Sequence, residues 1–138
     1  MVVTRRLQLR TKGHCDMTDI TPQLISEVAR SGLKDGIVNL FVIGSTAAVT
    51  TIEYEPGLEE DFRSFWQRVA PEGPPYNHDL RWNDANGYSH VRASALGPSL
   101  TVPFSGGCPI LGVWQQVVLI DFDNRPRSRE IVLQMMGE

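Results

Sequence analysis

The stretch Gly36-Ile37-Val38-Asn39-Leu40-Phe41-Val42-Ile43 is a nearly continuous apolar run, closed by Gly44-Ser45-Thr46 and followed over residues 48–55 by alternating apolar and polar positions. A short run of this kind, bounded by turn residues, predicts a strand buried on both faces, and the alternation after it predicts a second strand. Upstream, Thr21 as N-cap and Pro22 at the first helical position predict a helix with an apolar face of Leu24, Ile25, Val28 and Ala29, ended by Gly32. Residues 2–9 are β-prone, and a short strand over residues 13–18 is expected to pair with them as a hairpin through Thr11-Lys12-Gly13.

Downstream, Pro56-Gly57 opens a helix in which Leu58, Phe62, Phe65, Trp66 and Val69 recur at helical spacing, with Glu59, Glu60 and Asp61 in the first turn where the helix dipole favours them. The segment from Pro71 to Ser89 is rich in Pro, Gly, Asn and Asp, and its length in so small a chain marks it as functional or mobile. His90 to Leu96 reads as a short helix ended by Gly97-Pro98. Strands over residues 99–104, 110–123 and 128–136 follow, the last two joined at Asn124-Arg125-Pro126. The strand from Ile110 to Phe122 carries Val113, Val117 and Leu119 on one face and Trp114, Val118, Ile120 and Phe122 on the other. One face is expected under the helices and part of the other against a second sheet or another subunit. The expected fold is α+β: a largely antiparallel sheet or sandwich with two or three helices packed on it, in one domain spanning residues 1–138.

A chain of 138 residues with 41% hydrophobic side chains can build a real core without staples. A net charge of −3 leaves no electrostatic footprint for nucleic acid or an anionic membrane. Cys15 and Cys108 are far apart and lack a Cys-x-x-Cys spacing, so both are expected to be thiols in a reducing compartment. With no signal-peptide pattern and no run approaching the ~18 apolar residues of a spanning helix, the expected location is the cytoplasm.

Three clusters can carry chemistry. In the first, Gly44, Ser45 and Thr46 stand at a strand end, where backbone amides and hydroxyls can hold a phosphate or carboxylate; an ordinary tight turn explains the same residues. The second is His78, Asp79, Asp84, Asn86 and His90 in one turn-rich segment. Imidazoles that titrate near neutrality and carboxylates that attract hard cations can work as acid and base or bind a divalent ion, although the spacing is not diagnostic of a metal site. The third joins Glu53 and Glu55, two apart on one strand face, with Trp114 and Gln115. Trp114 as core and Gln115 as a hydrogen-bonded interface residue is the plainer account.

The run Ser99-Leu100-Thr101-Val102-Pro103, the turn at Gly106-Gly107 and Ile110-Leu111-Gly112-Val113-Trp114-Gln115-Gln116-Val117 resemble the signature of the YjbQ-like family. Further matching segments are Gly44 to Ala48, Tyr76-Asn77-His78, Asn83 to Asn86, Ser89-His90, and Asp121-Phe122-Asp123 followed by Arg125, Pro126 and Arg127. The resemblance implies an α+β homotrimer with a loop-built pocket, at subunit boundaries in one version. It also implies a small-molecule enzyme with secondary thiamine-phosphate synthase activity, joining a pyrimidine diphosphate to a thiazole phosphate. In that reading Asp84 and Glu53 lie near Mg²⁺ or Zn²⁺, with His78 and His90 as further metal ligands. Ser45 and Thr46 meet phosphate oxygens beside Gly44, Asn86, Ser99 and Trp114; His90 or His78 gives a proton to the leaving group, and Gln115 orients. Arg92, Arg125 and Arg127 are expected to arrive from a neighbouring subunit, since only Arg81 lies within the clusters. The competing class is a non-catalytic trimer that binds a metabolite or metal. Two positions depart from the family pattern: Gly44 stands where many members carry histidine, and Ala85 where the loop commonly reads Asp-Gly-Asn, so a positive φ there would strain alanine.

Overall fold

A computed structural model describes residues 1–73 and 75–138. Its elements, in chain order, are strand β1 (Val2–Thr11), β2 (Asp16–Asp19), helix α1 (Thr21–Ser31), β3 (Gly36–Ile43), β4 (Ala47–Ile52), α2 (Pro56–Val69), α3 (Asn77–Trp82), α4 (Gly87–Leu96), β5 (Ser99–Ser105), β6 (Cys108–Pro109), β7 (Gln116–Asp121) and β8 (Arg127–Gly137). They make a five-stranded sheet in the order β1-β8-β3-β5-β6 and a three-stranded sheet in the order β2-β7-β4, with antiparallel pairing throughout.

Alternation along the strands sorts the side chains into two cores. Val38, Leu40, Val42, Ile131, Leu133 and Met135 point from the large sheet toward Val49, Val117 and Leu119 of the small one, and Leu24 and Val28 of α1 join them. On the other side of the small sheet Ala48, Val118, Ile120 and Phe122 meet Trp66 of α2 and Ala93 of α4. Trp66 stands edge-on to Phe122, ring centroids 5.2 Å apart. Burying a side chain as large as Phe122 contributes about 1.5–3 kcal/mol. The strand expected to carry apolar residues on both faces is therefore sandwiched between a second sheet and the helices.

Several boundaries depart from the expectation. The strand after Gly13 pairs with β7, from Asp16 opposite Asp121 to Asp19 opposite Val118, so there is no opening hairpin and β1 instead lies along β8. The N-cap of α1 is Ile20; Thr21 is already helical, and its hydroxyl accepts from the Val117 amide at 2.8 Å. β3 is buried on one face only: Ile37, Phe41 and Ile43 on the other are exposed. The run Ile110 to Gln115 is a loop rather than the start of a strand, and Val113 and Trp114 are 90% and 72% exposed, which excludes Trp114 from the core. Two helices, α3 and the first turn of α4, occupy the segment read as a loop.

Ala85 has φ +56°, the left-handed conformation that alanine resists. An L-residue there costs about 1–2 kcal/mol, part of which glycine returns as unfolded-state entropy. Ala85→Gly is expected to stabilise the protein by about 1 kcal/mol. In urea denaturation this would move the midpoint up with the slope unchanged; an unchanged or lower midpoint would show that the backbone is not strained there.

Candidate functional site

The ends of β3 and β7, the starts of β4 and β8 and the segment from α3 into α4 converge on one hollow of about 370 Å³, lined by Gly44, Ser45, Thr46, His78, Trp82, Asp84, Asn86, His90, Asp123, Arg127 and Arg129. That volume suits a small ligand.

Its floor is an ion-pair network. The inward face of β8 carries Ile131, Leu133 and Met135 in the core and, continuing the same alternation toward the strand start, Arg129 and Arg127. Arg129 donates through Nε and Nη2 to the two oxygens of Asp121 at 2.7 and 2.9 Å and through Nη2 to Thr46 Oγ1 at 2.5 Å. Arg127 donates through Nε to Asp123 Oδ2 at 2.9 Å, and Thr46 Oγ1 and Asn86 Nδ2 donate to the same carboxylate at 2.9 and 3.2 Å. Burial alone would raise the Asp123 pKa. The hydrogen bonds from Thr46, Asn86 and the Asn124 amide, with the Arg127 charge, outweigh it and hold the carboxyl below the usual range.

Gly44 completes the floor. It has φ +154°, and a Cβ there would lie 2.7 Å from Arg129 Nη1. Any side chain at this position therefore has no room unless the buried Arg129 moves.

The wall is built by Asp79, which accepts from the amides of Tyr76 at 3.0 Å and Gly87 at 2.8 Å and so ties α3 to the start of α4. That bracing brings His78 and His90 together, ring centroids 4.2 Å apart, although eleven residues separate them in sequence. His78 Nδ1 lies 3.4 Å from Asp84 Oδ1 and 3.8 Å from Asp79 Oδ1. Ligand atoms of His78, Asp79 and Asp84 all lie within 4.8 Å of one another, and His78 Nδ1 and Asn86 Oδ1 are buried without a hydrogen-bond partner among the described residues. Donor chemistry and an orphaned nitrogen fit a divalent cation, although both Asp79 oxygens already accept backbone amides. His90 faces this group through its ring contact with His78. Burial first, and then the charge of His78, lower the His90 pKa, so its imidazole is neutral near pH 7.

The chain matches the family model described as UPF0047 protein YjbQ-like over residues 5–138. It belongs to the YjbQ-like UPF0047 family. Among UPF0047 relatives, a Methanothermobacter thermautotrophicus protein is 36% identical over 99% of this chain and 94% of its own length, and a Mycobacterium tuberculosis protein is 41% identical over 68% of this chain and 71% of its own. The crystal structure of a YbjQ-like protein of unknown function from Sulfolobus solfataricus superposes with a TM-score of 0.94 at 31% identity, covering 100% of this chain and 99% of that one. A hypothetical protein from Aeropyrum pernix gives 0.90 at 29% identity, covering 99% of each chain.

For this YjbQ-like chain, the hollow gathers Gly44, Ser45, Thr46, His78, Asp84, Asn86 and His90 as a group. Other candidates lie outside it. Glu53 is exposed beyond the end of β4, and its neighbour Glu55 serves as N-cap of α2. Ser99 sits on the outer face of the large sheet, accepting from Asn39 Nδ2 at 2.9 Å. Gln115 bridges the Gly112 amide and Thr51 Oγ1, and Trp114 projects from the 110–115 loop. Arg92 is buried under α4, bonded to the Ala70 carbonyl, so it does not reach this hollow within its own chain. The missed members are Trp82, Asp123 and Arg129, with Asp121 behind Arg129; Arg127 enters from the same chain rather than from a neighbour. Charged residues two apart on a strand whose inward face is otherwise apolar were the available signal.

An NMR titration of the His90 ring is expected to give a midpoint below the ordinary 6.5. His78→Gln should move it upward, though short of 6.5, because burial is the larger cause. For a histidine depressed in this way the folded state loses stability as pH falls from the ordinary value through the folded one. An unmoved midpoint in His78→Gln would show that the two rings do not communicate.

Among the described residues no helix is long and apolar enough to cross a membrane.

Proposed function

We propose that this protein is a small-molecule enzyme acting on a phosphorylated metabolite, with thiamine-phosphate synthase-like group transfer as the specific reading. The carrying observation is that two buried polar atoms, His78 Nδ1 and Asn86 Oδ1, lack hydrogen-bond partners among the described residues on the wall of the hollow that also presents two guanidinium groups. Unsatisfied buried polar atoms are costly, and a polar ligand or ion at the site relieves them.

Charge balance favours a phosphate that arrives with a cation. Arg127 and Arg129 line the hollow against the carboxylates of Asp84 and Asp123, so a phosphate dianion would add negative charge to a site already close to neutral. His78 and Asp84, with Asp79 behind them, would hold Mg²⁺ or Zn²⁺, which would offset the charge of a departing diphosphate. Ser45 Oγ and the Nη1 donor of Arg127 would meet phosphate oxygens, while Thr46, committed to Asp123, would position rather than bind. In the group transfer the thiazole nitrogen forms a bond to the benzylic-type carbon of the pyrimidine as the carbon–oxygen bond to diphosphate breaks and pyrophosphate leaves. That step frees no proton, so His90, neutral near pH 7, would serve as a hydrogen-bond acceptor that offsets the positive charge building on the pyrimidine.

The homotrimer belongs to the same proposal. The outer face of the large sheet aligns Val2, Met136, Ile37 and Pro103 in one row, with Phe41 and Ile43 beyond, an apolar surface suited to another copy. The second reading, a non-catalytic trimer binding a metabolite or metal, uses the same hollow. Calorimetric titration with pyrophosphate and with phosphorylated pyrimidines and thiazoles, with and without Mg²⁺ or Zn²⁺, tests both, followed by turnover assays of Asp84→Asn. Cation-dependent binding with product formation is expected. Binding without product would favour the binding protein, and no binding of any of these ligands would overturn both.

A further inference from the structure

We infer that a second hollow, on the far side of α4 from His90, is a binding site for a small metabolite that presents a carboxylate or phosphate group. It encloses about 310 Å³ and is lined by His14, Cys15, Arg63, Ser64, Gln67, Glu72 and Arg92.

The argument starts from Arg92, which is 2% exposed. Its Nε donates to the Ala70 carbonyl at 2.9 Å, its Nη2 to Gln67 Oε1 at 3.3 Å, and its plane lies over the rings of Tyr88 and Phe122 at 4.9 and 5.9 Å. Among the described residues it has no carboxylate partner, and Nη1 makes no hydrogen bond. A buried cation without a counter-ion is unfavourable, and an oxyanion entering the hollow supplies one. This differs from Arg127 and Arg129, whose carboxylates are provided by the fold.

The rest of the lining agrees. Arg63 donates to the Cys15 carbonyl at 3.4 Å and has only a loose contact, 3.6 Å, with Glu59, which leaves donors for a ligand. Two guanidinium groups thus face one carboxylate, Glu72, which stands 3.7 Å from His14. Burial pushes the Cys15 thiol up to about 11, so it adds no negative charge near neutral pH. Ser64 supplies a hydroxyl. One wall is a turn in which Gly13, His14 and Cys15 have φ of +79°, +53° and +63°, and the His14 amide is tied to the Asp123 carbonyl at 2.6 Å. Two consecutive side-chain-bearing residues in the left-handed region are held there against their preference, as at many ligand sites. The volume exceeds that of a bare phosphate or carboxylate, so the ligand has a body that Gln67, Glu72 and His14 can read.

Amide-detected NMR of the full chain, titrated separately with inorganic phosphate and with acetate, tests this. Saturable shifts are expected at the His14, Cys15 and Ser64 amides with one or both anions. Phosphate alone assigns a phosphate ligand, acetate alone a carboxylate, and both an oxyanion site that accepts either. Arg63→Gln, at a half-exposed position that folding tolerates, should weaken the response about tenfold or more, the worth of a lost charge-assisted hydrogen bond. Arg127→Gln should leave it intact while reducing any shifts at Ser45 and Asn86, so failure here and failure of the enzymatic reading are told apart. No saturable shift with either anion, or shifts untouched by Arg63→Gln, would overturn the site.

Discussion

Replacing Arg129 with methionine is expected to remove about 3–5 kcal/mol of folding stability, the largest single-residue loss outside the apolar cores. Arg129 is 7% exposed and is the counter-ion of Asp121, itself fully buried, while lying 3.8 Å from the equally buried Asp123. Methionine preserves length and apolar volume, so the loss reports charge rather than a cavity. Without the guanidinium, two carboxylates share a buried space, with Thr11 Oγ1 the remaining side-chain donor to Asp121 and Arg127 the remaining cation on Asp123. Urea denaturation should show a lower midpoint with an unchanged slope, and thermal unfolding a fall of about 10 °C or more. The double variant Arg129→Met, Asp121→Asn should recover part of the loss, because the two sites are coupled. A loss below about 1 kcal/mol would mean the network is solvated and contributes as a surface pair does.

The same network sets the acid limit of the fold. Asp123 is held below the ordinary aspartate value of 3.8, so its stabilisation is fully present above that value and is lost as pH falls through the lower folded-state pKa. The Asp123 carboxylate in the floor of the hollow is thus ionised across the physiological range, as a site that must pre-organise its donors requires.

How much of this was legible in the sequence follows from how local each signal is. Pro22 and Gly32 bracket α1 and Pro56 opens α2, because capping and φ constraints act within one turn. Long-range pairing is not local. Whether β2 pairs with β1 or β7 depends on which apolar face must be covered, and Met17 goes to the second core beside Ile120 rather than back onto β1. The apolar run Ile110 to Trp114 imitates a strand, but Gly112 with the Gln115 side chain closes a turn there, and the exposed Val113 and Trp114 belong to a surface that the isolated chain leaves open.

The site was half legible for the same reason. His78, Asp84, Asn86 and His90 share one segment, and composition alone marked it. Glu53 was placed with them on the assumption that β4 continues to residue 55, whereas the strand ends at Ile52 and Glu55 turns to cap α2. Arg129 was missed, and Arg127 was assigned to a neighbouring subunit, because a charged residue on a strand reads as solvent-facing by default. Only the register of β8, with Ile131, Leu133 and Met135 on the same face, shows that they point inward.

Turnover of a phosphorylated substrate is expected to fall by about 10²–10³ in His90→Ala, the range for removing one preorganised hydrogen bond that strengthens in the transition state. His90 is singled out over His78 by its surroundings. Burial and the adjacent His78 charge hold it neutral near pH 7, whereas His78 Nδ1 faces the Asp84 and Asp79 carboxylates in the arrangement of a metal ligand. The rate in the wild type should therefore rise with pH through a midpoint below 6.5 and stay level above it, since the working form is the neutral ring. The two variants should then separate. His90→Ala lowers kcat with little change in KM and loses the pH step, while His78→Ala weakens binding in the presence of the cation and keeps the step, moved upward. Neither ring carries the fold, so both variants should retain the wild-type amide spectrum away from the hollow. A His90→Ala protein that is folded and turns over within a few-fold of wild type would leave the imidazole pair a structural contact, and the non-catalytic trimer would then be the better account of the hollow.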